Sequence, residues 1–216
     1  MKTIISFDFS INKPAMCIFH DNKIHFYTWP LNIDKKSIDI LTECNIHVYN
    51  RDLSPINKKQ YDSNSLVYEH VKRCSALINL IINDIMSFIQ LYNIDKDNII
   101  ISSEGLSYAS NGDATLNLAA YKQALLVKLY ENGLTNIKTY SPITIKATAG
   151  KSKKGEGSKT AMIDAIKEEE RTHKFIEILA TDDSKLKKKT AYIQTIDDLV
   201  DAYWCYKTTM KKEDLE

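Results

Sequence analysis

Acidic residues stand at positions where the surrounding sequence is otherwise apolar. Asp8 lies inside an apolar run near the N-terminus, and Glu104 closely follows the run Ile99-Ile100-Ile101. A carboxylate buried in a strand is costly unless a cation lies beside it. Each acid is therefore either a ligand-binding group or a residue on a water-facing strand edge. Glu104 ends its run where α/β sheets tend to bind ligands, which favours the first interpretation.

A second group of acids lies near the C-terminus. Asp198 and Asp201 are three residues apart in a helical pattern, so both side chains project from one helix face and could hold a shared cation. Asp197 lies four residues before Asp201 and competes for the same role. The structural alternative is strong, because Thr195 resembles an N-cap and acids are favoured in a first helical turn.

Taken together, the acids on the first strand, a later strand and the last helix could converge on oxygen-ligand sites for hard cations, and Mg²⁺ is the natural occupant. Without a cation, converging carboxylates would repel one another and their pKa values would rise. Two cations about 4 Å apart would neutralise them and could flank a scissile phosphate.

The elements that must position these acids follow from hydrophobic periodicity. Residues 3–9, 15–20 and 24–29 predict an antiparallel three-strand meander, with Asp21-Asn22 as the turn between the last two strands. Residues 30–62 are polar and lack clear periodicity, which predicts an insertion or a mobile loop. A long amphipathic helix is predicted over 65–92 and a buried strand over 98–103.

The remaining pattern predicts a helix over 114–131, a fifth strand over 137–140, and helices over 159–170, 174–180 and 196–210. The fold class is thus α/β, with a mixed five-stranded sheet in which the antiparallel meander is joined by parallel strands and flanked by helices. At 216 residues, the chain fits a single domain spanning 1–216.

Composition narrows the class of protein. The hydrophobic fraction of 44% and the charged fraction of 26% are globular values, and no apolar run approaches the length needed to span a bilayer. The four cysteines form no C-x-x-C pair, which fits neither a zinc site nor a disulfide framework. We expect a cytoplasmic protein without membrane insertion. Its Lys-, Asn- and Ile-heavy composition suggests an AT-rich genome, bacterial or phage.

Positive charge is clustered, although the net charge is only +1. One segment carries five lysines against one acid, and these are Lys146, Lys151, Lys153, Lys154 and Lys159. A second cluster comprises Lys185 and Lys187 to Lys189. Such runs are usually solvated loops, and they gain interest only where phosphates must be held.

The order of these motifs resembles the RuvC family of Holliday-junction resolvases, within the RNase H-like superfamily. ISFDFS (5–10) is similar to the family's first motif, and IISSEGLSYASNGDATLNLAAYKQALL (100–126) places Glu104 at its second acid. TYSPITIKATAG (139–150) and SKTAM (158–162) are similar to its strand and basic segment. IDDLVDAYW (196–204) matches the closing pattern through Asp198, Asp201 and Ala202.

The resemblance implies an RNase H-like fold and a two-metal-ion mechanism. Asp8 would bridge two Mg²⁺ ions, for which Mn²⁺ could substitute, Glu104 would help to hold one, and Asp198 with Asp201 would complete the other. Lys146 and Lys159 stand where the family contacts DNA phosphates. The helix over 114–131 is the implied interface of a homodimer.

The sequence departs from the family pattern at three places. Phe9-Ser10 follows the first acid, where the family has a nearby glycine. The family's junction-wedging aromatic is replaced by Ser107, and the adjacent Tyr108 is either a substitute that contacts DNA or an ordinary packed tyrosine. Asp197 adds a carboxylate that competes with Asp198.

The sequence therefore predicts a Mg²⁺-dependent, structure-selective endodeoxyribonuclease, with four-way junctions as substrate and no nucleotide cofactor. Alternatives are a looser nuclease for flaps, forks or RNA–DNA hybrids, and a non-catalytic junction-binding protein. An actin-like ATPase or sugar kinase also opens with an Asp-bearing strand, but it needs glycine-rich phosphate loops. The chain has six glycines and a single G-x-G, Gly155-Glu156-Gly157, which does not extend to G-x-G-x-x-G, and this argues against that class.

Overall fold

The computed structural model describes residues 2–54, 56, 58–105, 113–151, 157–169 and 172–215. The strands are β1 (Thr3–Asp8), β2 (Ala15–His20), β3 (Lys23–Thr28), β4 (Ile46–Val48), β5 (Ile99–Glu104), β6 (Ile137–Tyr140), β7 (Lys187–Lys188) and β8 (Ala191–Tyr192). The helices are α1 (Lys35–Glu43), α2 (Ser63–Leu91), α3 (Asp113–Glu131), α4 (Pro142–Thr148), α5 (Lys159–Lys167), α6 (Lys174–Thr181) and α7 (Ile196–Lys212).

The main sheet has six strands in the order β4-β3-β2-β1-β5-β6. Strands β1 to β3 form the predicted antiparallel meander, while β5 and β6 run parallel to β1. Asp21 and Asn22 form the turn between β2 and β3 with φ values of 49° and 58°, a conformation that these two residue types tolerate well. The mixed α/β architecture agrees with the prediction.

The prediction of five strands was wrong by one. Strand β4 lies within 30–62 and pairs parallel to β3, with Phe26 opposite Ile46. Helix α1 precedes it and is capped by Asp34, whose carboxylate accepts a hydrogen bond from the Ser37 backbone N–H. Both elements are too short to show a clear period in the sequence, which is why the pattern did not reveal them.

Alternating residues of the strands supply two cores, one on each face of the sheet. On one face, Ile4, Cys17 and Phe26 pack with α1, α4, α5, α6 and α7. On the other face, Ile5 and Met16 pack with α2 and α3. All five side chains are fully buried. This alternation follows from the two-residue period of a strand, and it fixes which residues can point toward α7.

Helix α2 is long and apolar enough, by length and composition alone, to cross a bilayer, which the sequence analysis did not expect. Its inner face, however, is part of the second core, where Leu77, Ile81 and Ile85 are at most 1% exposed. Asp84 on the same helix accepts a 2.8 Å hydrogen bond from the Trp29 indole N–H. The helix is therefore packed against the sheet over its C-terminal half.

Candidate active site

Asp8 and Glu104 end adjacent parallel strands at the same edge of the sheet. Strands β1 and β5 pair in a register that puts Phe7 opposite Ser103, so the next residue on each strand is an acid. Both acids are only partly exposed. Because β5 is buried along its length, its C-terminal acid is held by the packing of the apolar residues before it.

Helix α7 brings the C-terminal acids to this edge. The Ser6 hydroxyl on β1 donates a 2.8 Å hydrogen bond to the Ala202 carbonyl, and the Cys205 thiol lies 3.6 Å from the Ser102 hydroxyl on β5. These buried contacts fix α7 across β1 and β5. Asp198, in the first turn of α7, is 5% exposed, and Asp201 lies one turn further along.

Thr195 is the N-cap residue of α7, as its sequence position suggested, but its side chain makes no capping hydrogen bond. Its hydroxyl is buried and has no hydrogen-bond partner within the described part of the chain. Capping by Thr195 therefore does not account for the acids that follow. Their position at the helix N-terminus still puts negative charge where the helix dipole favours it.

The acids share one electrostatic environment, and we call Asp8, Glu104, Asp197, Asp198 and Asp201 the carboxylate cluster. Burial raises the pKa of Asp8 well above its usual range, and repulsion from the other four members raises it further. Burial also raises the pKa values of Asp198 and Asp201, with added repulsion from Asp197 on both. Burial raises the pKa of Glu104, which the ammonium groups of Lys122 and Lys146 partly offset.

Asp197 differs from the other members because it has two cationic partners. Lys13 Nζ lies 3.0 Å from Asp197 Oδ1, and Lys159 Nζ contacts Asp197 Oδ2. Burial acts to raise the pKa of Asp197, but the two ammonium groups outweigh it and hold the pKa below its usual value. Asp198 has weaker partners, with Lys13 Nζ at 3.7 Å and the Ser10 hydroxyl at 3.4 Å.

Lys13 and Lys122 are site residues that the sequence pattern did not predict. Lys122 on α3 is 7% exposed and donates a hydrogen bond to the Glu104 carbonyl, and burial lowers its pKa. The available signal was a lysine between the apolar stretches of LAAYKQALL, since a lysine is rarely buried without a partner. Lys13 lies in the turn after β1 and gave no comparable signal.

The basic segment is described only in part. Lys146 lies in the last turn of α4 and acts electrostatically on Glu104 and Asp201, so it faces the carboxylate cluster. Lys159 opens α5, which is tied to α7 by a hydrogen bond from the Trp204 indole to the Met162 carbonyl. Lys151 follows α4 and is partly exposed. The predicted DNA contacts Lys153, Lys154 and Tyr108, together with Ser107, lie outside the described residues.

The donor chemistry of the carboxylate cluster fits a hard divalent cation. Four of its carboxyl groups have raised pKa values, so a cation placed among them would relieve their burial and repulsion. In the described part of the chain, no three His, Cys, Asp or Glu side chains are arranged closely enough to hold a metal ion as they stand. The positive charge at this edge of the sheet comes from the side chains of Lys13, Lys122, Lys146 and Lys159.

Comparison with known proteins supports the fold. No protein-family model matches the chain, and no curated protein sequence matches it. Its structure is similar to that of T. thermophilus RuvC in complex with a Holliday junction substrate, with a TM-score of 0.51 and 10% identity over 98% of this chain and 96% of that chain. A Thermus thermophilus RuvC structure gives a TM-score of 0.49 and 11% identity over 99% and 96%. The first of these similarities confirms the predicted RNase H-like fold.

Proposed function

We propose that this protein is a divalent-metal-dependent endonuclease that cuts branched DNA, with the Holliday junction as its main substrate. The observation that carries the proposal is the convergence of buried acids from β1, β5 and α7 on one sheet edge. A structural role for these acids would call for cationic partners at each of them. Among the described residues, Asp197 has two such partners, Asp198 has one longer ion pair to Lys13 at 3.7 Å, and Asp8, Glu104 and Asp201 have no ion pair.

The proposed metal ligands are Asp8, Glu104, Asp198 and Asp201. Asp197 was the competing candidate, and its ion pairs with Lys13 and Lys159 favour Asp198 instead, because a carboxylate with two ammonium partners offers less uncompensated charge to a cation. The chemistry of the donor set, carboxylate oxygens alone, suits Mg²⁺ and also Mn²⁺.

In this mechanism a water molecule attacks the phosphodiester, and no covalent enzyme intermediate forms. Bound Mg²⁺ ions would lower the pKa of water and neutralise charge on the phosphate. The chain's own residues prepare the site: Lys122 fixes the end of β5 through the Glu104 carbonyl, and the Ser6 hydroxyl fixes α7 against β1. These contacts keep the acids oriented before DNA arrives, which reduces the reorganisation needed for reaction.

The choice of substrate rests on a different observation, because acids at a sheet edge specify hydrolysis rather than DNA shape. The structural similarity to a RuvC protein bound to Holliday junction DNA favours a four-way junction. Cleavage should be measured on a panel of junctions, flaps, forks and RNA–DNA hybrids with and without Mg²⁺. Preferential cutting of the junction is expected, equal cutting of all forms supports the looser nuclease, and tight binding without cutting supports the non-catalytic alternative.

Lys146 and Lys159 are predicted to hold DNA phosphates beside the carboxylate cluster. Replacing either with Ala should weaken binding to all DNA shapes, and the log–log salt dependence should flatten by about 0.9 for each phosphate that the variant no longer binds. Lys23→Ala is the matched control, because Lys23 is exposed at the start of β3. Binding measured at several salt concentrations checks this. If the slope of the salt dependence is unchanged, the two lysines bind no DNA phosphate and serve only to pair with the acids.

A homodimer is the assembly that symmetric junction resolution requires, because two nicks of like polarity need two active sites related by a two-fold axis. The described surface carries exposed apolar side chains on two adjacent helices, α2 and α3. They are Val67, Tyr68, Val71, Leu116, Val127 and Tyr130. A groove of about 670 Å³ runs between the same helices. A second copy of the chain is the partner that this apolar face would bury.

Position along α3 separates interface residues from core residues. Leu125 and Leu129 are buried in the core, Leu118 and Leu126 pack partly against it, and Leu116 is 70% exposed. Leu116→Glu should therefore give a folded monomer that nicks junctions without resolving them. Leu129→Glu should unfold the chain, because it buries a charge. Sedimentation checks the first result. If the Leu116→Glu variant is still a dimer, Leu116 does not lie in the dimer interface.

A further inference from the structure

A cavity of about 460 Å³ opens beside the carboxylate cluster. Ile11 and Asn12, which follow β1, form one side, and Gln194, which precedes α7, forms another. Tyr121 of α3 forms the side next to α2, and its hydroxyl donates a hydrogen bond to the His70 carbonyl on α2. Cavities of roughly 300–1,000 Å³ are typical of small-ligand sites in proteins.

A half-buried arginine lines this cavity, and none of the acidic side chains that the structure describes pairs with it. Arg51 Nε donates to the Trp29 carbonyl and Nη2 donates to the Ile11 carbonyl, each at 2.7 Å. Burial lowers its pKa to about 10, and no described carboxylate offsets that burial. Carbonyl oxygens satisfy hydrogen bonds but do not neutralise a guanidinium, so an anion in the cavity would supply the missing charge.

The rest of the lining is also suited to an anion. Arg73 and His70 come from α2. Arg73 lines the cavity, and its guanidinium also pairs with the Glu69 carboxylate at 2.7 Å and donates to the Ser54 carbonyl. The described lining residues include no Asp or Glu. This absence contrasts with the five acids of the adjacent cluster, and it leaves the Arg51 guanidinium as a lining charge that no described acid pairs with.

The cavity also has walls for a flat apolar ring and amides for its polar edge. Leu31, Leu53 and the buried Tyr121 form apolar surface. Asn12 and Gln194 are exposed at its rim, and in the described structure their side-chain amides make no hydrogen bonds. A nucleobase combines a flat apolar face with polar edges and is read in protein pockets by these two kinds of contact.

Lys13 connects the cavity to the carboxylate cluster. Its ammonium group donates to the Gln194 carbonyl at 2.5 Å and to Asp197 Oδ1 at 3.0 Å. A DNA strand whose phosphate lies against the cluster would therefore pass the rim of the cavity with a neighbouring nucleotide.

We propose that this cavity binds one unstacked nucleotide of the DNA strand being cut, with its phosphate against Arg51 and Arg73 and its base against Tyr121, Asn12 and Gln194. This inference rests on the proposed function, because the nucleotide reaches the cavity only if the DNA strand is bound at the carboxylate cluster. The pocket would give the enzyme a base preference near the cleavage position, which phosphate contacts alone cannot provide.

The test uses the full chain with Ca²⁺ in place of Mg²⁺, so that a hard cation can still neutralise the carboxylate cluster while binding is observed without Mg²⁺-dependent cleavage. Four-way junctions carry a single 2-aminopurine at successive positions near the crossover, and its fluorescence rises when the base leaves the stack. With the unaltered protein, fluorescence should rise at one position and not at its neighbours, as expected for a single base that leaves the stack and enters a protein pocket. Asn12→Trp fills the rim and should abolish the rise, while Asn83→Trp, at an exposed position on α2, should not.

Competition identifies what the cavity recognises. The nucleotide dAMP should reverse the rise at a roughly tenfold lower concentration than deoxyadenosine, because its phosphate can pair with the arginines. No rise at any position, or an equal rise with Asn12→Trp and Asn83→Trp, overturns the pocket. Cleavage by the unaltered protein in Mg²⁺ is scored separately, so the pocket can fail while the proposed nuclease activity stands.

Discussion

Asp8→Asn is expected to abolish DNA cleavage in Mg²⁺ while DNA binding is preserved or tightened. The substitution removes a proposed metal ligand, and it also removes a negative charge that faces the phosphates. The rate should fall by a factor on the order of 10³ or more, as for other groups that act as one catalytic unit. Glu104→Gln should behave in the same way. Single-turnover cleavage and an equilibrium binding assay on the same junction measure both effects.

Matched controls exist for these two substitutions. Asp21→Asn changes an acid in the exposed turn between β2 and β3, and Glu43→Gln changes an exposed acid at the end of α1. Both controls should cut at the unaltered rate. Near-normal cutting by Asp8→Asn or Glu104→Gln would remove that residue from the proposed metal site.

Unfolding is not the expected cause of the drop in activity. The pKa values of Asp8 and Glu104 are raised by burial, so an uncharged amide of the same shape relieves a cost that the folded chain bears. The melting temperature in EDTA should therefore not fall for either variant. Added Mg²⁺ should raise the melting temperature of the unaltered protein more than that of the variants, because binding to the folded state stabilises it.

The second large effect is expected on helix α7. Asp201→Asn and Asp198→Asn should each abolish cleavage, while Asp197→Asn should keep much of it. The reason is the difference in partners: Asp197 is held by Lys13 and Lys159, whereas the pKa of Asp198 is raised by burial and by Asp197. Cleavage rates of the three variants under one set of conditions decide the assignment. Inactive Asp197→Asn together with active Asp198→Asn would reverse it.

The outcome for Asp197→Asn also bears on its lysine partners. If Asp197 holds Lys13 rather than a metal ion, its replacement should free the Lys13 ammonium group to bind one further DNA phosphate. DNA affinity should then rise and its salt dependence should steepen.

The sequence predicted the elements that have a strong period. The meander of β1 to β3, the strand β5, the long helix α2 and the helix α7 were each found within about two residues of their expected bounds, as usual for such boundaries. These elements carry all five acids of the carboxylate cluster. Their periodicity could be recognised because each buries one face or both against the same cores.

Other elements depend on tertiary contacts that a single sequence does not display. Helix α4 was not predicted as a helix because Ser141-Pro142 reads as the end of a strand, yet Ser141 caps the helix and Pro142 occupies its first turn. Strand β4 has three residues and is defined mainly by its pairing with β3. Hairpin β7–β8 was not predicted, because its sequence shows only a cluster of lysines. One of them, Lys187, forms an ion pair with Asp183 at 2.8 Å.

At the site, residue type predicted the acids but not their partners. Asp8 and Glu104 stood out because carboxylates are rare in buried strands. The roles of Lys13 and Lys122 could not be predicted from the sequence, because their contacts join residues that are distant along the chain: Lys13 binds Asp197, and Lys122 binds the Glu104 carbonyl. The preference for Asp198 over Asp197 likewise depends on ion pairs between distant parts of the chain.

The most direct test of the central claim is cleavage of a synthetic four-way junction labelled on each strand in turn. With Mg²⁺ or Mn²⁺, the unaltered protein should introduce paired nicks in two strands of like polarity and release nicked duplexes, and EDTA should abolish the reaction. Asp8→Asn purified in parallel should give no product, which excludes a contaminating nuclease. Binding to the junction without any metal-dependent cleavage would contradict the account and leave a junction-binding protein in its place.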